Sequence, residues 1–223
     1  MAQLADVASP QVARGGLLVV PLGATEQHGP HLPLGTDTVI AGALARSLTG
    51  PGVMVAPTLA YGSSGEHQGF AGTLSIGGEA LQTVVVELVR SAAETFSRVL
   101  LVSAHGGNAA PLARAVARLR GEGRDVRAWS PAAALDGDAH AGRVETSLML
   151  ALSPENVRTD RAVPGNRAPL AQIIGELTRR GVRAVSENGI LGDPTGASAT
   201  DGERLLRQAR GALHTFVAQW PDP

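Results

Sequence analysis

Five residues of metal-ligand type stand in a pattern suited to amide hydrolysis. Glu26 and His28 lie two apart in Gly23-Ala24-Thr25-Glu26-Gln27-His28-Gly29-Pro30-His31, and Asp37 follows in Thr36-Asp37-Thr38. His105 and Glu145 come later in the chain. In an extended segment, a spacing of two puts both side chains on one face. Five N/O ligands, with a carboxylate able to bridge, fit two divalent ions about 3.5–4 Å apart that activate a water and polarise a scissile carbonyl. Such ligation suits Zn²⁺, Mn²⁺ or Fe²⁺ without choosing among them. The 223 residues include no cysteine, so thiolate catalysis, disulfides and iron–sulfur clusters are excluded and any metal must rest on His and carboxylates.

Read singly, each residue has a plainer use. Asp37 could cap a helix, and His105 could be a hydrogen-bonded turn residue. Glu26 and His28 could be solvated, and Glu145 could be a surface residue of a helix. Gly106-Gly107 ahead of a helix could bind phosphate. However, the dinucleotide fingerprint and the Walker lysine are absent. No nucleophile elbow stands at a strand-to-helix turn.

The elements that must position these groups follow from apolar runs. Leu17–Leu22 reads as a buried parallel strand and delivers Glu26 and His28 beyond its carboxyl end. Thr36 or Asp37 caps a helix to about Leu48. Val53–Pro57 is a short strand, and Tyr61–Gly78 is a Gly-rich loop carrying Glu66-His67. Glu79–Phe96 is a helix and Arg98–Ala104 a strand. His105–Asn108 is a tight turn, with Asn108 as N-cap of Ala109–Arg120. Asp125–Trp129 is a strand, Ala139–Leu152 a helix carrying Glu145, Leu170–Arg180 a helix, and Ser198–Trp220 a closing helix. Residues 1–16 are a weakly patterned lead-in. With no repeat or linker, 1–223 reads as one domain. Alternating strands and helices imply an α/β fold with a mainly parallel sheet covered on both faces. Ligands of such sheets bind beyond the carboxyl ends of the strands.

Composition narrows the partners. Hydrophobic residues make up 43% and charged ones 17%, as in an ordinary globular protein, and the net charge of −1 gives no electrostatic case for nucleic acid or an anionic membrane. The amino terminus lacks a positive segment followed by an apolar one, and no apolar run approaches membrane-span length. A cytoplasmic location is the expectation.

At this point the motifs resemble the creatininase (creatinine amidohydrolase) family. The run from Gly23 to Leu34 with Thr36-Asp37-Thr38 resembles its opening signature. Ser64-Gly65-Glu66-His67 with Gly69-Phe70-Ala71-Gly72-Thr73 is similar to its second motif, His105-Gly106-Gly107-Asn108 to its third, and His140-Ala141-Gly142-Arg143-Val144-Glu145-Thr146-Ser147 to its fourth. The resemblance implies a three-layer α/β/α fold, hexamer assembly and two divalent metal ions per subunit (Zn, Fe or Mn) that serve cleavage of C–N bonds. It assigns Glu26, His28, Asp37 and His105 as ligands, with Asp37 the bridge, and His140 to proton transfer. Glu66 is a second catalytic candidate. His67, Gly106, Gly107 and Asn108 are candidates for substrate contact.

Three departures matter. Creatininase has a Glu ligand two positions after the third-motif His, where this chain has Gly107, and Glu145 is the substitute candidate. Creatininase also has a substrate-contacting Trp ahead of the fourth motif, but residues 131–145 contain none. Ala71 stands where many members have Pro. Creatinine is therefore not the expected substrate. Gly62–Phe70 and Gly192-Asp193-Pro194-Thr195-Gly196-Ala197, with the opening run, look most like the mycofactocin-system branch. Those peptidases act on a small ribosomally made precursor peptide and release its modified C-terminal Val-Tyr-derived dipeptide unit. The rivals are another amidohydrolase of the family (a creatininase or a formamide hydrolase) and a non-catalytic metal- or nucleotide-binding module.

Overall fold

The computed structural model describes residues 2–220. The domain expected over 1–223 also includes Met1 and 221–223, which lie outside the described residues. Five strands form one sheet: β1 (Ala2–Gln3), β2 (Leu17–Leu22), β3 (Val53–Val55), β4 (Arg98–Ser103) and β5 (Val126–Trp129). Their order is β1-β3-β2-β4-β5, and every pairing is parallel. The connecting helices are α1 (Thr36–Ala45), α2 (Gly78–Ala92), α3 (Ala109–Gly121), α4 (Arg143–Leu152), α5 (Leu170–Arg180), α6 (Val182–Val185) and α7 (Ala199–Ala218).

Alternation along the central strands builds two cores. Leu17 and Val19 of β2, with Leu100 and Val102 of β4, meet Ile40, Leu44, Leu148 and Leu205 from α1, α4 and α7. Leu18, Val20 and Leu22, with Val99 and Leu101, meet Leu81, Val85, Leu112 and Leu119 from α2 and α3. The result is the expected three-layer α/β/α fold. Both faces of β2 and β4 are dry, which is why their sequences read as continuous apolar runs.

The chain leaves β2 through α1 toward β3 on one side, while β4 lies on the other. The crevice beyond the carboxyl ends of β2 and β4 is thus a topological switch point, the usual ligand position in such sheets. Glu26, His28 and His105 all follow these two ends.

Several local expectations are corrected. The lead-in supplies the edge strand β1, and α6 adds a short helical turn. Helix α1 ends at Ala45, before Leu48, and Gly35 is its N-cap. Neither Thr36 nor Asp37 caps it. Helix α4 begins at Arg143, because Ala141 takes a left-handed conformation (φ 52°) that a helix from Ala139 could not contain. Asn108 makes no cap bond to α3. Among the described residues, no helix is long and apolar enough to cross a membrane.

Candidate metal centre

The loop after β2 places Glu26 and His28 in the crevice, both fully buried. Asp37, in the first turn of α1, is 1% exposed. His105 leaves β4, and His140 and Glu145 flank the start of α4. The Gly65–His67 turn closes the group from the Gly-rich loop.

Backbone carbonyls fix the histidine rings. A carbonyl only accepts, so the ring nitrogen facing it carries the hydrogen. His28 donates through Nδ1 to the Glu26 carbonyl at 3.1 Å, which turns Nε2 toward Asp37 Oδ1 at 3.2 Å. His105 donates through Nε2 to the Ser63 carbonyl at 3.0 Å, so Nδ1 faces Glu26 Oε1 at 3.2 Å and Asp37 Oδ2 at 3.5 Å. His140 donates through Nε2 to the Gln27 carbonyl at 2.8 Å, leaving Nδ1 3.9 Å from Glu26 Oε1 and 4.0 Å from Glu145 Oε2. Ligating histidines are commonly oriented in this way by the nitrogen that does not ligate.

Three donor groups have ligand atoms within 4.8 Å of one another: Glu26–Asp37–His105, His28–Asp37–Glu145 and Glu26–His28–His140. Asp37 belongs to two of them, one oxygen toward each. Glu26 Oε2 and Asp37 Oδ2 are buried without a hydrogen-bond partner. Burying carboxylate oxygens in this way costs several kcal/mol unless a cation or donor satisfies them, so the donor set fits divalent metal.

The electrostatics agree. Burial opposes protonation of His28, but the charges of Asp37, Glu145 and Glu26 outweigh it and push its pKa up to about 10. Burial likewise opposes protonation of His105, and Glu26 and Asp37 push it up to about 9. Burial alone would raise Glu26, yet His105, His67 and His28 hold it well below the usual carboxylate range. Burial pushes His67 down to about 4 and His140 well below its ordinary value, so both are neutral near pH 7. Burial also raises Glu145 and Glu66. The crevice thus stabilises positive charge beside the Asp37 and Glu26 carboxylates, where His28 and His105 lie, and keeps His67 and His140 neutral.

All five expected ligand residues come together. Glu145 reaches the cluster with Oε2 3.9 Å from His28 Nε2, held by the Ala141 N–H at 2.6 Å. Glu66 Oε1 lies 3.5 Å from His105 Nε2, on the outer side of that ring. The departure at Gly107 has a steric cause. A Cβ there would stand 2.2 Å from the Ser63 carbonyl oxygen and 2.3 Å from Glu66 Oε1. Glu66 therefore occupies space that a side chain at 107 would need. Asn108 is fully buried, and its amide joins three segments, accepting from Ser63 N (2.9 Å) and donating to Gly23 O (3.1 Å) and Ser103 Oγ (3.3 Å).

Two cavities open onto the cluster. One of about 800 Å³ is walled by Glu66, His67, Gly106, Gly107 and α5. The other, about 340 Å³, lies between α1, Pro131–Leu135 and α4.

Sequence reasoning missed Gln27 and Asp138. Gln27 donates from Nε2 to His67 Nδ1 (2.9 Å) and to the Gly189 carbonyl (3.0 Å), and its own carbonyl anchors His140. Asp138 Oδ2 accepts from Arg143 N and Asp193 N, both at 2.9 Å, tying the start of α4 to the loop beyond it. The signal for Gln27 was its place between two ligand-type residues. Asp138 gave none.

Comparison with known proteins agrees with this geometry. The family model for creatinine amidohydrolase matches residues 4–217. A mycofactocin precursor peptide peptidase of Mycobacterium ulcerans (strain Agy99) is 50% identical, covering 92% of this chain and 86% of the relative. A creatinine amidohydrolase of Pseudomonas putida is 32% identical over 69% of this chain and 71% of its own length. Among solved structures, a manganese creatininase superposes with a TM-score of 0.75 at 25% identity, covering 99% of each chain. A mutant creatininase complexed with creatine does so with a TM-score of 0.77, also at 25% identity and 99% coverage of each chain. With the motifs in order, the layers in place and nearly the whole length matched, the chain belongs to the creatininase family.

Proposed function

We propose that this protein is a metal-dependent amide hydrolase that cleaves a peptide bond in the mycofactocin precursor peptide, releasing its modified C-terminal Val-Tyr-derived dipeptide unit. The observation that carries hydrolysis is Asp37, buried and turning one carboxylate oxygen toward each of two donor groups. The choice of substrate is supported by the 50% identity to a mycofactocin precursor peptide peptidase against 32% to a creatinine amidohydrolase.

Glu26, Asp37 and His105 would hold one divalent ion, and His28, Asp37 and Glu145 the other. Zn, Fe and Mn all suit these ligands. Ions bound there supply Lewis-acid polarisation of a carbonyl and an activated water. The chain's own groups handle orientation and protons. His28 and His105 are locked by the Glu26 and Ser63 carbonyls, so neither ring has to reorganise. His140, neutral and with Nδ1 free of a backbone bond, takes a proton from the attacking water and returns it to the departing nitrogen. Glu66, at the larger cavity, is the second group able to deliver a proton there. His67 and the backbone of Gly106 and Gly107 line the path of the substrate. Asn108 holds that path from behind. A homo-oligomer, hexameric as the family resemblance implies, would carry one such site per subunit.

The test is elemental mass spectrometry on protein purified without chelator, beside cleavage of the modified precursor peptide followed by mass spectrometry. About two transition-metal ions per subunit and release of the dipeptide unit are expected. Loss of turnover in His28→Ala should accompany loss of metal. Unchanged turnover in that variant, or a metal-free parent that cleaves the peptide, would overturn the reading.

A further inference from the structure

Helix α5 carries an apolar stripe that the core does not use. None of its residues is buried, and Leu170 and Ile174 each remain 44% exposed. Leu170, Ile174 and Leu177 recur at i, i+4 and i+7, which puts them on one helical face. All three line the larger cavity. The helix packs against α6 and against the Gly65–His67 turn, the turn that presents Glu66 and His67. An apolar stripe facing a cavity rather than a core is a binding surface.

What occupies it follows from continuity with the centre. His105, Gly106, Ala139, His140 and Leu170 line both the larger cavity and the smaller one. An amide held at these residues sends one arm into each cavity. A small cyclic amide needs only one of them. The smaller cavity, about 340 Å³, is enclosed by Leu135, Val144 and Leu148, and suits a short unit. The larger, about 800 Å³, runs out past Arg179 and Arg180, which leaves room for a continuing chain. Both arginines share the single carboxylate of Glu176, so the exit keeps one net positive charge beside the apolar stripe.

We propose that Ile174 and Leu177, with Leu170 at the boundary between the two cavities, form an extended subsite for apolar side chains of the peptide on the N-terminal side of the scissile bond, while the C-terminal unit sits in the smaller cavity. This rests on the peptidase reading and deepens it. The stripe would let the enzyme distinguish a polypeptide from a small amide. Binding energy from parts of a substrate remote from the scissile bond can be spent at the reacting centre, so the contribution of the stripe is read in kcat/KM.

The experiment uses the metal-loaded full chain, Ile174→Arg and the milder Leu177→Ala. Two substrates are compared: the full-length modified precursor peptide, and a short one in which an acetyl group replaces everything before the residue that precedes the scissile bond. Binding of the fluorescein-labelled N-terminal product fragment is read separately by anisotropy. The ratio of kcat/KM for long over short substrate should fall about tenfold or more in Ile174→Arg and severalfold in Leu177→Ala, and the fragment's Kd should weaken in step. Equal loss on both substrates, an unchanged ratio, or a fragment that binds both variants as it binds the parent would overturn the subsite. A fall in subunit number with the ratio unchanged would assign the stripe to a second copy of the chain and overturn it equally. A parent that cleaves neither peptide fails the peptidase reading and takes the subsite with it, whereas cleavage with no change in ratio fails the subsite alone.

Discussion

Asp37 faces His28 with one oxygen and His105 with the other: Oδ1 lies 3.2 Å from His28 Nε2, and Oδ2 3.5 Å from His105 Nδ1. Those histidines come from the ends of two adjacent strands, β2 and β4, and Asp37 comes from the helix that follows the first. The carboxylate therefore spans the switch point of the sheet, where it can neutralise charge on both sides at once.

Replacing it should disable both halves of the centre together. Asp37→Asn keeps the volume and one acceptor oxygen but removes the charge. Metal content should fall from about two ions per subunit to one or fewer, and kcat should drop about 10³-fold or more. The parent should lose melting temperature on chelation, by about 10 °C for each ion held at a thousandfold over its Kd, and the variant much less. Elemental analysis and a melting curve with and without EDTA check both. A variant retaining two ions would show that Asp37 is not the bridge.

The sheet was legible because β2 and β4 are dry on both faces, which writes their bounds into the sequence as apolar runs. The ends of α5 were legible too, between Pro169 and Gly181. The α4 boundary was not. Ala141 at φ 52° breaks the segment between His140 and Glu145, and a non-glycine residue in that conformation leaves no trace in a sequence. Asn108 looked like a cap because Asn favours caps, but its amide is drawn off by Ser63 and Gly23, both distant in sequence, and by Ser103 at the end of β4. Gln27 was overlooked for a related reason. A two-residue period sends it away from Glu26 and His28, whereas the observed loop does not continue β2 and keeps all three inward.

Gln27 should matter to rate more than to metal. Its amide donates to His67 Nδ1, and so leaves the hydrogen on Nε2, which points at Glu26 Oε1 at 3.2 Å. Gln27→Leu preserves volume and deprives His67 and the Gly189 carbonyl of their donor. The expected cost is about 1–3 kcal/mol of stability and about 10–100-fold in kcat, with ion content kept near the parent's. Urea unfolding, steady-state kinetics and elemental analysis separate these. Parallel loss of metal would mean that the residue acts by retaining the ions.

His31 gives the fold a pH dependence. It is 1% exposed, donates to or accepts from Thr146 Oγ1 through Nε2 at 2.8 Å, and has no partner for Nδ1. Burial, and then the positive charge of His28, pushes its pKa down to about 4. Above the ordinary histidine value of about 6.5, both folded and unfolded states are neutral there and stability is unaffected. Between about 6.5 and 4 only the unfolded chain binds the proton, so stability falls as pH falls, by up to about 3 kcal/mol in total. His31→Gln keeps a polar group for Thr146 and removes the titration. Urea midpoints of metal-free parent and variant, compared from pH 7.5 to 4.5, should diverge as the parent loses stability faster on acidification. Parallel curves would show that His31 does not titrate with unfolding.

Gly107 tests whether the carboxylate of Glu66 has taken over the space next to His105. A Cβ at 107 would meet the Ser63 carbonyl oxygen at 2.2 Å, Glu66 Oε1 at 2.3 Å and His105 Nε2 at 2.5 Å. Glu66 is a side chain that can swing away, but the Ser63 oxygen is backbone and is already bonded to His105. Gly107→Ala must therefore push on the very bond that orients His105 Nδ1 toward Glu26 and Asp37. The expected loss is about 1–3 kcal/mol in stability by overpacking, with weakened metal retention because the ring is displaced. Adding Glu66→Ala should recover only part of that loss, since it relieves one contact and leaves the carbonyl in place. Urea unfolding and metal content of the single and double variants measure both effects. Full recovery in the double variant would mean that Glu66 alone excludes a side chain from position 107, and that the backbone there could accommodate the glutamate that creatininase carries.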